Sequence, residues 1–181
     1  MNRFTYHYKQ IVSYDLITKF NYKNSFHIPE IESISVNLSS VTLAFEKKKI
    51  IPFLLALELI SGQKGKMTFS KKNKIQLKIK QGMVVGCKVT LNKLNSHAFL
   101  ENLILFVFPK IDNFKGFIFN NKSPNELSFK INNILNFMEL QNEFLNFSSL
   151  PPLDVTIKIK SSTVNDTKIL LNSFNFPIRK V

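Results

Sequence analysis

With 181 residues, 44% of them hydrophobic and 20% charged, the chain has the composition of a folded protein of about one domain and is too apolar for a disordered one. Five Gly, seven Pro and a single cysteine, Cys87, exclude collagen, low-complexity linkers, a disulfide framework and a multi-cysteine zinc site. The charge is out of the ordinary: 25 Lys+Arg against 12 Asp+Glu leave +13, which implies a polyanionic partner, nucleic acid or, less often, an anionic membrane surface.

Read in chain order, residues 4–20 repeat Ile11, Val12, Leu16, Ile17 and Phe20 at helical spacing, and Pro29 ends the loop that follows. Residues 31–39 alternate, with Ile34, Val36 and Leu38 on one side and Ser33, Ser35, Asn37 and Ser39 on the other, as in a strand with one buried and one hydrogen-bonding face. A helix is predicted over about 47–60, kinked by Pro52 or starting near Ile51, with Gly62 placed to close it. Residues 67–70, 75–81 and 84–92 read as strands punctuated by Gly65, Gly82 and Gly86. Ser96 is placed to cap a helix carrying Phe99, Leu100, Leu103, Ile104 and Val107, which Pro109 ends. A loop around Gly116 follows over 110–125, residues 127–140 fit strand or helix equally, and Pro151–Pro152 break the chain. Residues 153–160 are a clear strand, and Thr163 with Asp166 makes a capping box for a short helix through Phe174. There is no internal repeat and no linker long enough to divide domains. The expected fold is one α+β domain over 1–181, a largely antiparallel sheet with helices on one face and a polar, basic opposite face.

The charge is concentrated. Between Glu58 and Glu101 there is no acidic residue, while Lys64, Lys66, Lys71, Lys72, Lys74, Lys78, Lys80, Lys88 and Lys93 fall in that gap. The alternation of Ile75, Leu77 and Ile79 with Gln76, Lys78 and Lys80 predicts a ribbon that is apolar on one side and cationic on the other. Such lysines give salt-sensitive attachment to phosphates and no sequence readout.

Reactive chemistry is sparse. His7, His27 and His97 lack metal-ligand spacing, Cys87 reads as a buried thiol, and SGQKGK lacks the register of a phosphate-cradling loop. The carboxylates are unpaired, so neither catalysis nor a cofactor is expected. Phe114, Phe117 and Phe119 lie in a loop where bases could stack, although most of the 18 Phe belong at core positions. The longest apolar runs, 103–108 and 50–57, fall short of the roughly 20 residues that span a bilayer, so no membrane insertion is expected.

Five motifs then occur in order: SGQK (61–64), SKKNKIQLKIKQG (70–82), GCKVTL (86–91), FPKIDNFKG (108–116) and FNFPIRK (174–180). Together with YHYKQ (6–10), FNY (20–22) and HIPEIESISVNLS (27–39), they resemble the universal large-subunit ribosomal protein five family, the bacterial-type 5S rRNA-binding protein, over nearly the whole chain. The resemblance implies an antiparallel sheet with helices on one side, a place in the central protuberance, and binding to 5S rRNA and large-subunit rRNA through the polar sheet face. By motif position the RNA-binding groups are Asn37, Gln63 and Thr90, whose donor and acceptor atoms suit sugar hydroxyls and phosphates, with Lys64, Lys66 and Lys88 adding attraction. The family's basic loop, about 70–82 here, reaches P-site tRNA, which assigns Lys71, Lys72, Asn73, Lys74, Lys78, Lys80 and Gln81 to that contact. The family also bridges to small-subunit ribosomal protein thirteen. The segment KSPNELS (122–128) departs from the family's glycine- and arginine-bearing pattern, and lysines such as Lys115 replace arginines that could pair with phosphate in bidentate fashion.

Lys (23 residues), Asn (20), Ile (19) and Phe (18) all have A/T-rich codons, and the start MNRFTYHYKQIVSYDLITKF lacks an Arg-rich targeting pattern and a secretory apolar core. The expectation is therefore a mitochondrial matrix protein of the mitoribosome, encoded in the organelle. The alternatives are a peripheral protein on anionic membrane or a generic RNA-binding protein.

Overall fold

Alternation of side chains is what makes the sheet. In the computed structural model, which describes residues 3–20, 22, 24–112, 114–118, 125–161 and 163–179, strand β1 (Glu30–Ser39) buries Ile31, Ile34, Val36 and Leu38. The expected polar face is interrupted at Ser33, which is buried. Strand β2 (Lys66–Phe69) lies at the sheet edge, and β3 (Val84–Asn92) buries Cys87, Val89 and Leu91. A two-residue strand β4 (Phe117–Ile118) precedes β5 (Glu126–Ile131). Strand β6 (Leu153–Lys160) buries Leu153, Val155, Ile157 and Ile159, and β7 (Ile178–Arg179) closes the chain. The main sheet is five-stranded and largely antiparallel, in the order β2-β3-β1-β6-β5. The fold is α+β, as expected.

The helices follow their caps and apolar spacing, with some departures. The first expected helix is α1 (Arg3–His7), a π-helical turn over Tyr8–Val12 and α2 (Ser13–Lys19); Val12 and Leu16 are buried, whereas Ile11 and Ile17 of the expected apolar face are exposed. The wider π turn shifts later residues around the axis and changes which side faces inward. A short helix α3 (Thr42–Phe45) precedes α4 (Ile50–Ser61), which starts close to Ile51 with Pro52 in its first turn, where a missing N–H is tolerated. Gly62 ends α4 in the left-handed conformation, its N–H donating to the Glu58 carbonyl at 2.8 Å.

Ser96 is not the cap of α5 (Leu94–Asn102). That helix starts after Lys93, and Ser96 sits buried inside its first turn, its hydroxyl donating to the Lys93 carbonyl at 2.6 Å. A π turn (Leu103–Val107) and a 3₁₀ turn containing Pro109 complete the run. Residues 127–140 divide between β5, a 3₁₀ turn over Ile134–Asn136 capped by the Asn133 side chain, and α6 (Met138–Gln141); α7 (Phe144–Phe147) comes next. The last helix, α8 (Val164–Ser173), carries the full capping box of Thr163 and Asp166.

The chain forms two compact units, the first made of Met1–Ile34, Asn92–Phe129 and Thr156–Val181, the second of Ser35–Leu91 and Lys130–Val155. In the first unit Phe108 meets the rings of Phe114, Phe117, Phe129 and Phe176 at centroid distances of 5.2–6.0 Å. Phe114 and Phe117 are therefore engaged with other phenylalanines and are not a free stacking platform; Phe119 lies outside the described residues, as do Asn21, residues 122–124 and Lys180. Beside this cluster β4 pairs with β7 in parallel, and the Phe117 N–H donates to the Pro177 carbonyl at 2.9 Å. The FPKIDNFKG and FNFPIR segments thus hold each other. Gly116, at φ +82, allows the chain to turn against Pro177 where a side chain would crowd its carbonyl.

Candidate nucleic-acid interface

Every residue assigned to RNA contact lies in the second unit. On β1, Asn37 stands between Val36 and Leu38, both fully buried, so its side chain leaves the sheet on the opposite side and is half-buried there. Thr90 on β3 is placed likewise by buried Val89 and Leu91, and is exposed. Since β1 and β3 are neighbours, the two polar groups share the outer face of adjacent strands. Ser35 and Ser39, two residues either side of Asn37, emerge on the same side; the site assignment missed them although the period-2 pattern carries them.

Gly86 is what brings these strands so close. A Cβ there would collide with the Leu38 carbonyl oxygen and sit 3.0 Å from the Ser39 Cα, which only glycine avoids. Gln63 comes from a different element, the turn that leaves α4. The Ser61 hydroxyl accepts the Gln63 N–H at 3.2 Å and donates to the Gln63 carbonyl at 3.1 Å, fixing that backbone and leaving the half-buried amide side chain available.

The cations are arranged around these groups. Lys66 and Lys88 are direct partners across the antiparallel β2–β3 pair, and both are exposed, as is Lys64 just before β2. Like charges directly opposite each other weaken a sheet. Among the described residues, none of the nine lysines between Glu58 and Glu101 makes an ion pair, and all nine are exposed. The carboxylates instead pair elsewhere, as in Glu46–Lys49, Asp154–Lys130 and Glu126–Lys158.

The segment 75–81 is not the predicted strand. Ile75–Leu77 is a 3₁₀ turn, Lys78 adopts φ +53, and the chain reverses so that Lys74 and Ile79 exchange backbone hydrogen bonds of 2.8 and 3.1 Å. Ile75 is 91% exposed at the tip and Ile79 alone of the three aliphatics is buried. The alternation fails because this protrusion has no neighbouring sheet on which to lay an apolar face. Lys71, Lys72, Lys74, Lys78, Lys80 and Gln81 are exposed along it. Asn73 has an internal role: its side-chain oxygen accepts the Gln81 N–H at 2.7 Å and pins the two arms. The base is tied by Ser70 N–H to the Met83 carbonyl and Gly82 N–H to the Ser70 carbonyl.

Cys87 is fully buried, and burial pushes its thiol up to about 12, which makes it a packing residue. His97 is buried with Nδ1 2.9 Å from the Lys93 carbonyl. Among the described residues there is no group of three His, Cys, Asp or Glu able to hold a metal ion, and no helix long and apolar enough to cross a membrane.

A polar sheet face flanked by unpaired lysines defines a nucleic-acid-binding protein of the ribonucleoprotein class. Residues 84–178 match the C-terminal model of the uL5 ribosomal protein family. Over 181 residues, 99% of this chain and 100% of the relative, the sequence is 38% identical to the large ribosomal subunit protein uL5m of Reclinomonas americana. Over the same shares it is 32% identical to the large ribosomal subunit protein uL5 of Buchnera aphidicola subsp. Schizaphis graminum (strain Sg). The chain belongs to the uL5 ribosomal protein family, and it is a structural, non-enzymatic constituent of the large ribosomal subunit associated with its rRNA.

Proposed function

We propose that this chain acts as one 181-residue protein of the central protuberance of a mitochondrial large subunit and binds 5S rRNA through the outer face of β1 and β3. In this reading Asn37, Gln63 and Thr90 contact sugar hydroxyls and phosphates, and Lys64, Lys66 and Lys88 hold the backbone by counterion release. The observation that carries it is the opposition of Lys66 and Lys88 next to Thr90, on a pair of strands without a carboxylate. An unfavourable charge pair of this kind is relieved when a phosphate lies between the ammonium groups.

The hairpin over residues 70–82 reaches P-site tRNA and holds it by exposed lysines, a grip that tolerates different tRNA sequences and releases readily. The protein also contributes to a bridge with small-subunit ribosomal protein thirteen. The mitochondrial assignment is supported by the likeness to uL5m and by the A/T-biased composition, which also favours a gene in the organelle.

The test is a binding titration of 5S rRNA with the Asn37→Ala/Gln63→Ala/Thr90→Ala protein. The expected result is a loss of about tenfold or more, from about 1 kcal/mol per lost hydrogen bond, with an unchanged unfolding midpoint. Unaltered affinity refutes the site. In parallel, Lys71→Ser/Lys72→Ser/Lys74→Ser should leave 5S rRNA binding intact and lower P-site tRNA occupancy of the particle.

A further inference from the structure

We propose that the helical side of the second unit, centred on α4, is the docking surface for a basic, apolar-anchored segment of another protein resident in the large subunit. The observation is a reversal of chemistry within one unit. Residues 50–63 and 131–153 contain no lysine or arginine, although the chain has 25, and their only charges are Glu58, Glu139 and Glu143. These residues form α4, α6 and α7, which pack on one another.

The same helices expose large apolar groups. Ile51, Leu55 and Leu59 repeat at i, i+4 and i+8, so they stack along one face of α4, while Phe53, Ala56, Leu57 and Ile60 fill the core. Leu145 on α7 is 89% exposed, and Phe144 beside it is exposed too. An apolar stripe rimmed by charge is the ordinary composition of a protein-docking site.

Charge selects the occupant. RNA needs cations to neutralise its phosphates, and these helices offer none. A second copy of this chain would present the same glutamates and would gain no attraction from them. A segment with leucine-like anchors and flanking lysines or arginines satisfies both the stripe and the carboxylates. Three aliphatic side chains on one face also argue for permanent cover, because a contact that forms and breaks between subunits is left exposed to water for part of every cycle. The inference does not depend on which RNA the sheet holds.

The experiment places a photo-crosslinker on the stripe in assembled particles. Leu55→Cys supplies the only accessible thiol, since Cys87 is fully buried, and it is labelled with a benzophenone maleimide before incorporation into large subunits. Irradiation of free large subunits should give an adduct with another protein, the cross-linked segment being rich in Lys or Arg as well as aliphatic residues. Adding Leu59→Lys should lower the yield by about tenfold, the loss of one buried leucine facing a basic partner. If the label itself bars docking, the particle should lose one basic protein while keeping its rRNA and this chain. Ile51→Cys, one turn earlier, repeats the measurement should the first variant fail to fold. An adduct with rRNA, an adduct with a second copy, an adduct seen only after the small subunit joins, or neither adduct nor protein loss overturns the proposal.

Discussion

Replacing both Lys66 and Lys88 by Gln should move stability and RNA affinity in opposite directions. The two residues are paired across β2 and β3 on the exposed side, with no carboxylate between them. Directly opposed like charges in a sheet cost roughly 0.2–1 kcal/mol, so the double variant should be more stable by about that amount in urea unfolding at low salt. The gain should shrink above about 0.3 M salt, because screening already removes much of the repulsion. If each ammonium neutralises one phosphate, the slope of log affinity against log salt should become shallower by roughly 0.7–0.9 per contact, or about 1.4–1.8 for the pair. The assay is filter binding of 5S rRNA from about 0.05 to 0.4 M KCl beside urea denaturation of the free protein. An unchanged slope with unchanged affinity would show that this pair touches no phosphate, and a loss of stability would show that the two side chains are held by something other than mutual repulsion.

Two further outcomes follow from packing and burial. Gly86→Ala should destabilise the protein by about 1–3 kcal/mol, because a methyl group would be driven into the Leu38 carbonyl and the close pairing of β1 and β3 would have to open; an unfolding midpoint equal to that of the unaltered protein would contradict this. Alkaline pH should weaken the fold. Burial holds the Cys87 thiol at about 12 against an ordinary 9.0, and burial together with the Glu30 carboxylate holds the Tyr8 hydroxyl at about 12 against 10.0. The unfolded chain releases both protons first, so the stability they contribute is complete below about pH 9 and is lost as pH rises towards 12, at a rate on the order of 1 kcal/mol per pH unit for each group. Urea midpoints from about pH 8 to 11 should fall less steeply for Cys87→Ala than for the unaltered chain, and parallel curves would refute the thiol's share.

How much of this was legible in the sequence varies by element. Strands β3 and β6 were placed to the residue, since each pairs a long apolar alternation with glycine or proline punctuation, and both lie between other strands where the pattern has its full meaning. The capping box at Thr163 and the left-handed stop at Gly62 are local chemistry and needed no tertiary information. The same alternation misled over 75–81, where the chain leaves the sheet and a reversal at Lys78 wins over the apolar period. Ser96 has the right residue type for a cap, but Lys93 takes the turn and the hydroxyl goes inside.

By itself, then, the sequence determined the α+β class, the cationic stretch and the order of motifs that mark the family, because alternation, caps and charge are properties of near neighbours. Only the tertiary structure decided which lysines oppose each other, that Asn37 and Thr90 emerge on one face, that Phe114 and Phe117 pack against Phe108, and that the unpaired aliphatics of α4 share a lysine-free side with α6 and α7. Those facts depend on which strands and helices meet, and pairing between segments far apart in the chain is set by the joint burial of all of them rather than by any local run of residues.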